Sequence, residues 1–172
     1  GGLTLGSPIV GASRGSNSQI IVPVALVTGD IIIRSGIDDD EIVVGDLGTL
    51  SGALTIDAED SAGRFNDFDT IRYSGNNTIV VDNDSRFTAD TITASANARL
   101  ESSGNGTISW DAGRNIAMEG GSSVISDSGN ISFEANLAQV HTGKFIGIDI
   151  EGGTLTSNSG DILLTGLGGD DG

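Results

Sequence analysis

The chain has 172 residues, with 24 acidic against 8 basic and a formal charge of −16, which bounds it to one domain or a stretch of a longer repetitive protein. Nothing in such a balance neutralises a run of phosphates, so nucleic-acid binding of the ordinary electrostatic kind is excluded, and the same charge argues against docking on an anionic membrane surface. No cysteine and a single histidine, His141, exclude disulfide frames, thiolate centres and multi-histidine metal sites.

Strand candidates recur along the chain, each about four residues long and each followed by Gly, Ser, Asn or Asp. In chain order they are Asp30–Ile33, Glu41–Val44, Ala53–Ile56, Thr70–Tyr73, Thr78–Val81, Thr91–Ala94, Thr107–Trp110, Asn115–Met118, Asn130–Phe133, Gly147–Ile150 and Asp161–Leu164. No stretch carries a sustained helical period of apolar residues. The 27 glycines and 2 prolines belong to turn chemistry rather than to disorder, because the β-branched residues arrive in short clusters between them. Many short strands with regular turns mean a sandwich, a barrel or a solenoid. The longest apolar run, Ile20 to Val27, holds Pro23 and is too short to span a bilayer, so membrane insertion is not expected. The chain opens on Gly1 rather than methionine, which reads as a processed product, an excised fragment or an incomplete sequence.

An internal repeat chooses among the three architectures. Ile116-Ala117-Met118-Glu119-Gly120-Gly121 matches Ile148-Asp149-Ile150-Glu151-Gly152-Gly153 at an offset of 32. Val124 to Phe133 matches Leu155 to Leu164 at an offset of 31, so one residue is lost between Gly121 and Val124. A looser copy runs from Ile92 through Leu100 to Trp110. Each block holds three short apolar pieces and two turns, Glu-Gly-Gly and Ser-Gly-Asn/Asp. Glycine is expected to supply positive φ at both corners, and Asn or Asp to bond the local backbone. The expected fold is all-β: a parallel β-helix, or β-solenoid, with three short strands per coil and a block of about 18 residues per coil. Asp residues are expected at corners or on outward loops, because stacked like charges repel.

The expected organisation is an N-terminal β region over 1–52, which supplies a packing or exchange strand, and solenoid coils over 53–172 with blocks near 92–110, 116–133 and 148–164. The alternative fold is a β-sandwich filament subunit with Ile20–Val27 as an exchanged strand. Neither end reads as a cap. Bare solenoid ends template further pairing, so head-to-tail self-association, or a place within a longer protein, is expected.

The phrases Gly147 to Thr154 and Ser159 to Gly169 resemble the repeats of filamentous-haemagglutinin-like and related β-strand-repeat proteins of bacterial surfaces. The resemblance covers Thr91 to Gly172, and Phe65 to Tyr73 departs from it. It implies a right-handed parallel β-helix, secretion to the cell surface or beyond, and an adhesive or matrix role with surface glycans or matrix as partners. It transfers no catalytic residue, so an enzyme is not expected.

Three acidic stretches are calcium candidates, although no cofactor is required. Asp38, Asp39, Asp40 and Glu41 form the densest cluster, for which a solvated turn between Ile37 and Ile42 is the favoured reading, since no bidentate spacing pattern is present. Asp82 and Asp84 alternate as calcium-loop ligands do, without the following glycine and distal glutamate. Asp170 and Asp171 lie in a glycine-rich tail like a single nonapeptide calcium repeat. A charge of −16 lets divalent cations relieve self-repulsion in any case.

The second functional class is a carbohydrate-active lyase or hydrolase, or a glycan-binding module. Phe65, Asp67, Asp69, Arg72 and Tyr73 bring carboxylates, a cation and aromatics into one short stretch. A loop packed on its own core accounts for the same residues. His141 beside Lys144 reads as an ordinary loop residue, and Trp110 as a packed or contact residue on a strand.

Overall fold

The computed structural model describes residues 13–14, 20–21, 27–35, 39–59, 68–139 and 141–170. Among them the chain is all-β, without a helix. The strands are β1 (Ser13–Arg14), β2 (Ile20–Ile21), β3 (Ile31–Arg34), β4 (Glu41–Val44), β5 (Gly48–Leu50), β6 (Leu54–Asp57), β7 (Thr70–Tyr73), β8 (Thr78–Val81), β9 (Ser85–Ala94), β10 (Arg99–Ser102), β11 (Ile108–Met118), β12 (Ser123–Ser126), β13 (Ile131–Ala135), β14 (Ile148–Ile150), β15 (Thr154–Ser157) and β16 (Ile162–Gly166).

All pairing in the two large sheets is parallel. The five-stranded sheet has the order β15-β12-β10-β8-β5, and the nine-stranded sheet runs β16-β13-β11-β9-β6-β3 with β4, β7 and β14 attached. The long strands β9 and β11 join two rows within the larger sheet: each pairs one set of neighbours through its first half and another through its second. The chain therefore visits three rows in turn. The first row is β3, β6, the start of β9, the start of β11, β13 and β16. The second is β4, β7, the ends of β9 and β11, and β14. The third is β5, β8, β10, β12 and β15.

The internal repeat is the pairing register itself. Ile116 pairs Ile148, Val124 pairs Leu155 and Ile131 pairs Ile162, the offsets of 32 and 31 read in the sequence. The looser copy pairs too, Ile92 with Ile116 and Leu100 with Val124. The chain returns to the first row at Ile31, Leu54, Ser85, Ile108, Ile131 and Ile162. The returns to Ser85 and Ile162 are longer than the others. Their extra residues fall in the connections 58–69 and 136–147, both between the first row and the second. Pairing of β3 with β6 and of β5 with β8 carries the rows across residues 52–53.

Parallel register stacks like on like, and the core follows from it. Phe87, Trp110 and Phe133 occupy one column of the first row and are fully buried. Trp110 lies between the other two rings, with centroids 5.7 Å and 4.4 Å away and planes 10° and 3° from parallel. Trp110 thus packs inside. In the second row Ile71, Ile92 and Ile116 form another buried column.

The corners use two different devices. Gly121 and Gly152 adopt φ of 78° and 77°, which a residue with a Cβ rarely does; Asn76 and Asn97 take the same role earlier, at 59° and 62°. The glycines of Ser128-Gly129-Asn130 and Ser159-Gly160-Asp161, and Gly106 stacked with them, are there for another reason than positive φ. A Cβ on Gly106, Gly129 or Gly160 would fall on the backbone carbonyl of Asn83, Gly106 or Gly129, the residue stacked beneath it. Close approach of backbones, not handedness, demands glycine there. The adjoining Asx side chain then bridges successive passes: Asp30, Asp84 and Asn130 accept the N–H of Ala53, Thr107 and Asp161 respectively, all at 2.8 Å.

Antiparallel pairing, the mark of a sandwich, occurs among the described residues only between β1 and β2. Most of the run proposed as an exchange strand, Ile20 to Val27, lies outside the described residues; Ile20 and Ile21 pair Arg14 and Ser13. At the far end β16 is an edge strand, with Ile162, Leu163 and Leu164 about half exposed.

Candidate functional site

Among the described residues, the corner between the first and second rows gathers three carboxylates and a histidine. One register position before the second-row strands stand Asp40, Asp69, Asp90, Arg114 and Ile146 in successive passes. The acidic members of this column are linked: the Asp40 N–H donates to Asp69 Oδ1 at 2.9 Å, and the Asp69 N–H to Asp90 Oδ2 at 3.0 Å. Each carboxylate thus satisfies a backbone donor that turning the corner would otherwise leave unpaired.

Both long connections converge on Asp90. Phe68 and Asp69 close the connection 58–69, and His141 belongs to the connection 136–147. His141 Nε2 lies 2.5 Å from Asp90 Oδ1, with the two side chains 9% and 0% exposed. The Phe68 ring stands against the imidazole at 5.5 Å and is itself 57% exposed. Glu59, Asp69 and Asp90 bring one carboxylate oxygen each within 4.8 Å of one another. Arg114, next in the column, turns away and sits over the Phe145 ring at 5.0 Å.

Three converging carboxylates offer the hard oxygen donors that calcium takes, and the imidazole adds a nitrogen donor beside them. The same set ties two surface connections to the stacked strands. Its burial separates it from an open carboxylate pair spanning a groove, the arrangement glycoside hydrolysis uses.

The calcium candidates read in the sequence are dispersed. Asp39 Oδ1 accepts the Phe68 N–H at 3.0 Å, and Glu41 faces Arg72 at 3.5 Å on the exposed face. Asp82 accepts the Ser103 hydroxyl, and Asp84 caps Thr107. Asp170 is exposed, and its carbonyl accepts the Gly143 N–H at 3.2 Å. Asp38 and Asp171 lie outside the described residues. Among the described residues, only Glu59, Asp69 and Asp90 converge as a set of three.

The glycan-contact stretch is split by strand alternation. Asp69 and Tyr73 are buried while Arg72 points outward to Glu41. Tyr73 is therefore a core residue, not a stacking surface: its ring fills the second row, and its hydroxyl donates to the carbonyls of Asn77, at 2.9 Å, and Arg99. Burial pushes its phenol well above the usual range. Phe65 and Asp67 lie outside the described residues.

Glu59, Asp90 and the role of His141 escaped the sequence reading. One signal was present: Asp69-Thr70-Ile71 repeats as Asp90-Thr91-Ile92, at the offset of 21 that the Asp69–Asp90 bond spans and that equals the pairing of β7 with β9. His141 gives no local signal, because its partner is 51 residues away. No protein-family model, no curated protein and no solved structure matches the chain.

Proposed function

We propose that the chain is a β-solenoid, a parallel β-helix with three short strands per coil, acting as a structural and adhesive element outside a bacterial cell. It is a fibre-forming subunit or a segment of a large repetitive surface protein. The observation that carries this reading is the three rows of parallel strands held in one register with like-on-like columns. Such an assembly transmits load along backbone ladders and grows by adding passes. Its charge of −16 keeps the outer surface hydrated and free of phosphate ligands. The likeness of Gly147 to Gly169 to surface-protein repeats points to the same role and location. Sedimentation and light scattering at physiological salt test it. Concentration-dependent growth of elongated species supports a fibre subunit, and a compact monomer at every concentration removes it.

A glycan-binding or glycan-cleaving role is the second reading. It is favoured by one observation, the exposed Phe68 ring set against His141 beside the carboxylate cluster. Glycan arrays and lyase assays on acidic and neutral polysaccharides decide it. Binding lost in Phe68→Ala supports the reading, and absence of any binding or cleavage ends it.

A further inference from the structure

We propose that residues 136–147 form a strap inserted into an otherwise continuous pass of the chain, closed over the corner by His141 and able to swing open while the three rows stay folded. The strap controls access to the corner on which the glycan reading rests, and its opening is independent of what binds there.

The pairing register exposes the insertion. Ala112 pairs Ala135 and Ile116 pairs Ile148, so these two passes share a fixed point on either side of the corner. In β11 residues 113–115 join the two points, and in β9 residues 90–91 join the matching Ala89 and Ile92. The next pass spends residues 136–147 on the same step. Strand pairing therefore needs two or three residues at this corner and does not account for the rest. Insertions into stacked repeats gather on one face, often the binding face, where a rigid scaffold positions them.

The strap reaches across a whole pass to close. The strand β11 lies between β13, which the strap leaves, and β9, which carries Asp90. Neighbouring strands are about 4.8 Å apart. His141 therefore extends past β11 to bring Nε2 within 2.5 Å of Asp90 Oδ1, and there it stands against the Phe68 ring. Ladder bonds tie only the two ends of the strap to the rows. The Asn136 N–H donates to the Ala112 carbonyl at 2.9 Å, and the Ile116 N–H donates to the Gly147 carbonyl at 2.8 Å. Between these ends the described backbone bonds itself, from the Gln139 N–H to the Asn136 carbonyl, and residues 169–170 beyond β16, through Gly143 and Phe145.

Closure is held against strain. Asn136 and Gln139 take φ of 54° and 53°, left-handed backbone that residues with a Cβ occupy at a cost. Asn136 is 3% exposed. Its Nδ2 donates to the Leu167 carbonyl at 3.4 Å, while its Oδ1 is buried without a donor among the described residues. Burying an unpaired acceptor also opposes closure. Few ladder bonds, two strained residues and a buried unpaired acceptor are the marks of a low-stability unit that opens ahead of its scaffold.

Lys144 is the chain's only lysine and lies exposed in the strap, so a lysine-specific endoprotease reads this segment alone. On the full chain in native buffer a single cut after Lys144 is expected, with the far-UV strand signal unchanged. Cleavage limited by opening follows the population of the open form. His141→Ala is expected to speed the cut about tenfold, and Gln139→Asn, which tolerates left-handed backbone, to slow it about threefold. Low urea is expected to change the rate less than about twofold relative to a free lysyl peptide, because local opening exposes little surface. No cut in the parent or either variant overturns the strap. So does a rate that rises with urea as steeply as global unfolding, a loss of strand signal on cutting, or equal rates in all three chains. The readout needs no glycan, so its failure leaves the glycan reading to its own assays.

Discussion

Trp110 lies flat against Phe133, their ring centroids 4.4 Å apart and their planes 3° from parallel, although the two belong to successive passes of the chain. Parallel pairing in register produces this contact, because it sets the same inward position of successive passes one above another. Phe87 continues the stack on the other side. Truncating the middle ring leaves a cavity that backbone ladders on both sides prevent from collapsing. Trp110→Ala is therefore expected to cost about 3–5 kcal/mol, read from urea unfolding. A loss below about 1 kcal/mol would mean that the column does not carry the core.

The corner glycines separate two physical demands that one residue type meets. Gly129→Ala drives a Cβ onto the Gly106 carbonyl and is expected to destabilise by about 1–3 kcal/mol. Gly45→Ala meets nothing within 4 Å and is expected to stay within about 0.5 kcal/mol of the parent. Equal effects in thermal melts would refute close stacking at the Ser-Gly-Asx corner.

Tyr73 makes stability fall at alkaline pH. Burial disfavours its phenolate, so the folded-state pKa lies above the ordinary value of 10.0. A raised folded value means that the stabilisation is complete below pH 10 and is lost as pH rises beyond it, because the unfolded phenol ionises first. Urea midpoints are expected to be flat in this respect up to about pH 9 and to drop by about pH 11. Tyr73→Phe should flatten the alkaline drop while costing about 1 kcal/mol at neutral pH for the lost hydroxyl bonds. The same alkaline drop in parent and variant would assign it to another group.

His141 and Asp90 pin one long connection to the stacked strands. A cycle of His141→Ala, Asp90→Asn and the double variant is expected to give a coupling of about 1–3 kcal/mol. Hydrogen exchange in residues 136–147 should quicken in either single variant, with the first-row strands unchanged. Zero coupling together with unchanged exchange would show that the contact holds nothing in place.

Most of the fold was legible because its repeat is local in cause. Glu41–Val44, Thr70–Tyr73 and Thr78–Val81 were read at their observed bounds, since β-branched residues there meet turn residues at both ends. Ile116 and Ile148 announced their pairing through the Glu-Gly-Gly that follows each. Gly48–Leu50 was missed, as a short strand with a single buried apolar position carries no period. The Ser85–Ala94 and Ile108–Met118 strands were read only in part: the sequence placed Thr91–Ala94, Thr107–Trp110 and Asn115–Met118, while these strands carry on through the corner at Asp90 and near Gly113 without interruption. The expected repeat block holds the three strands and the two turns between them. A full return to the same row, as from Leu54 to Ser85, also includes connections whose length no pattern fixes. The carboxylate cluster was legible least. Asp69 was picked out with the wrong company, because strand alternation buries it with Tyr73 and turns Arg72 away. Its true neighbours, Asp90 and Glu59, arrive from adjoining passes, and only the register brings them together.

Negative-stain electron microscopy of the full chain, purified without denaturant, tests the end-stacking solenoid most directly. The expected image is of long thin fibres with an axial repeat of about 2.5 nm, five passes at the spacing of neighbouring strands. Isolated short particles at every concentration would contradict it.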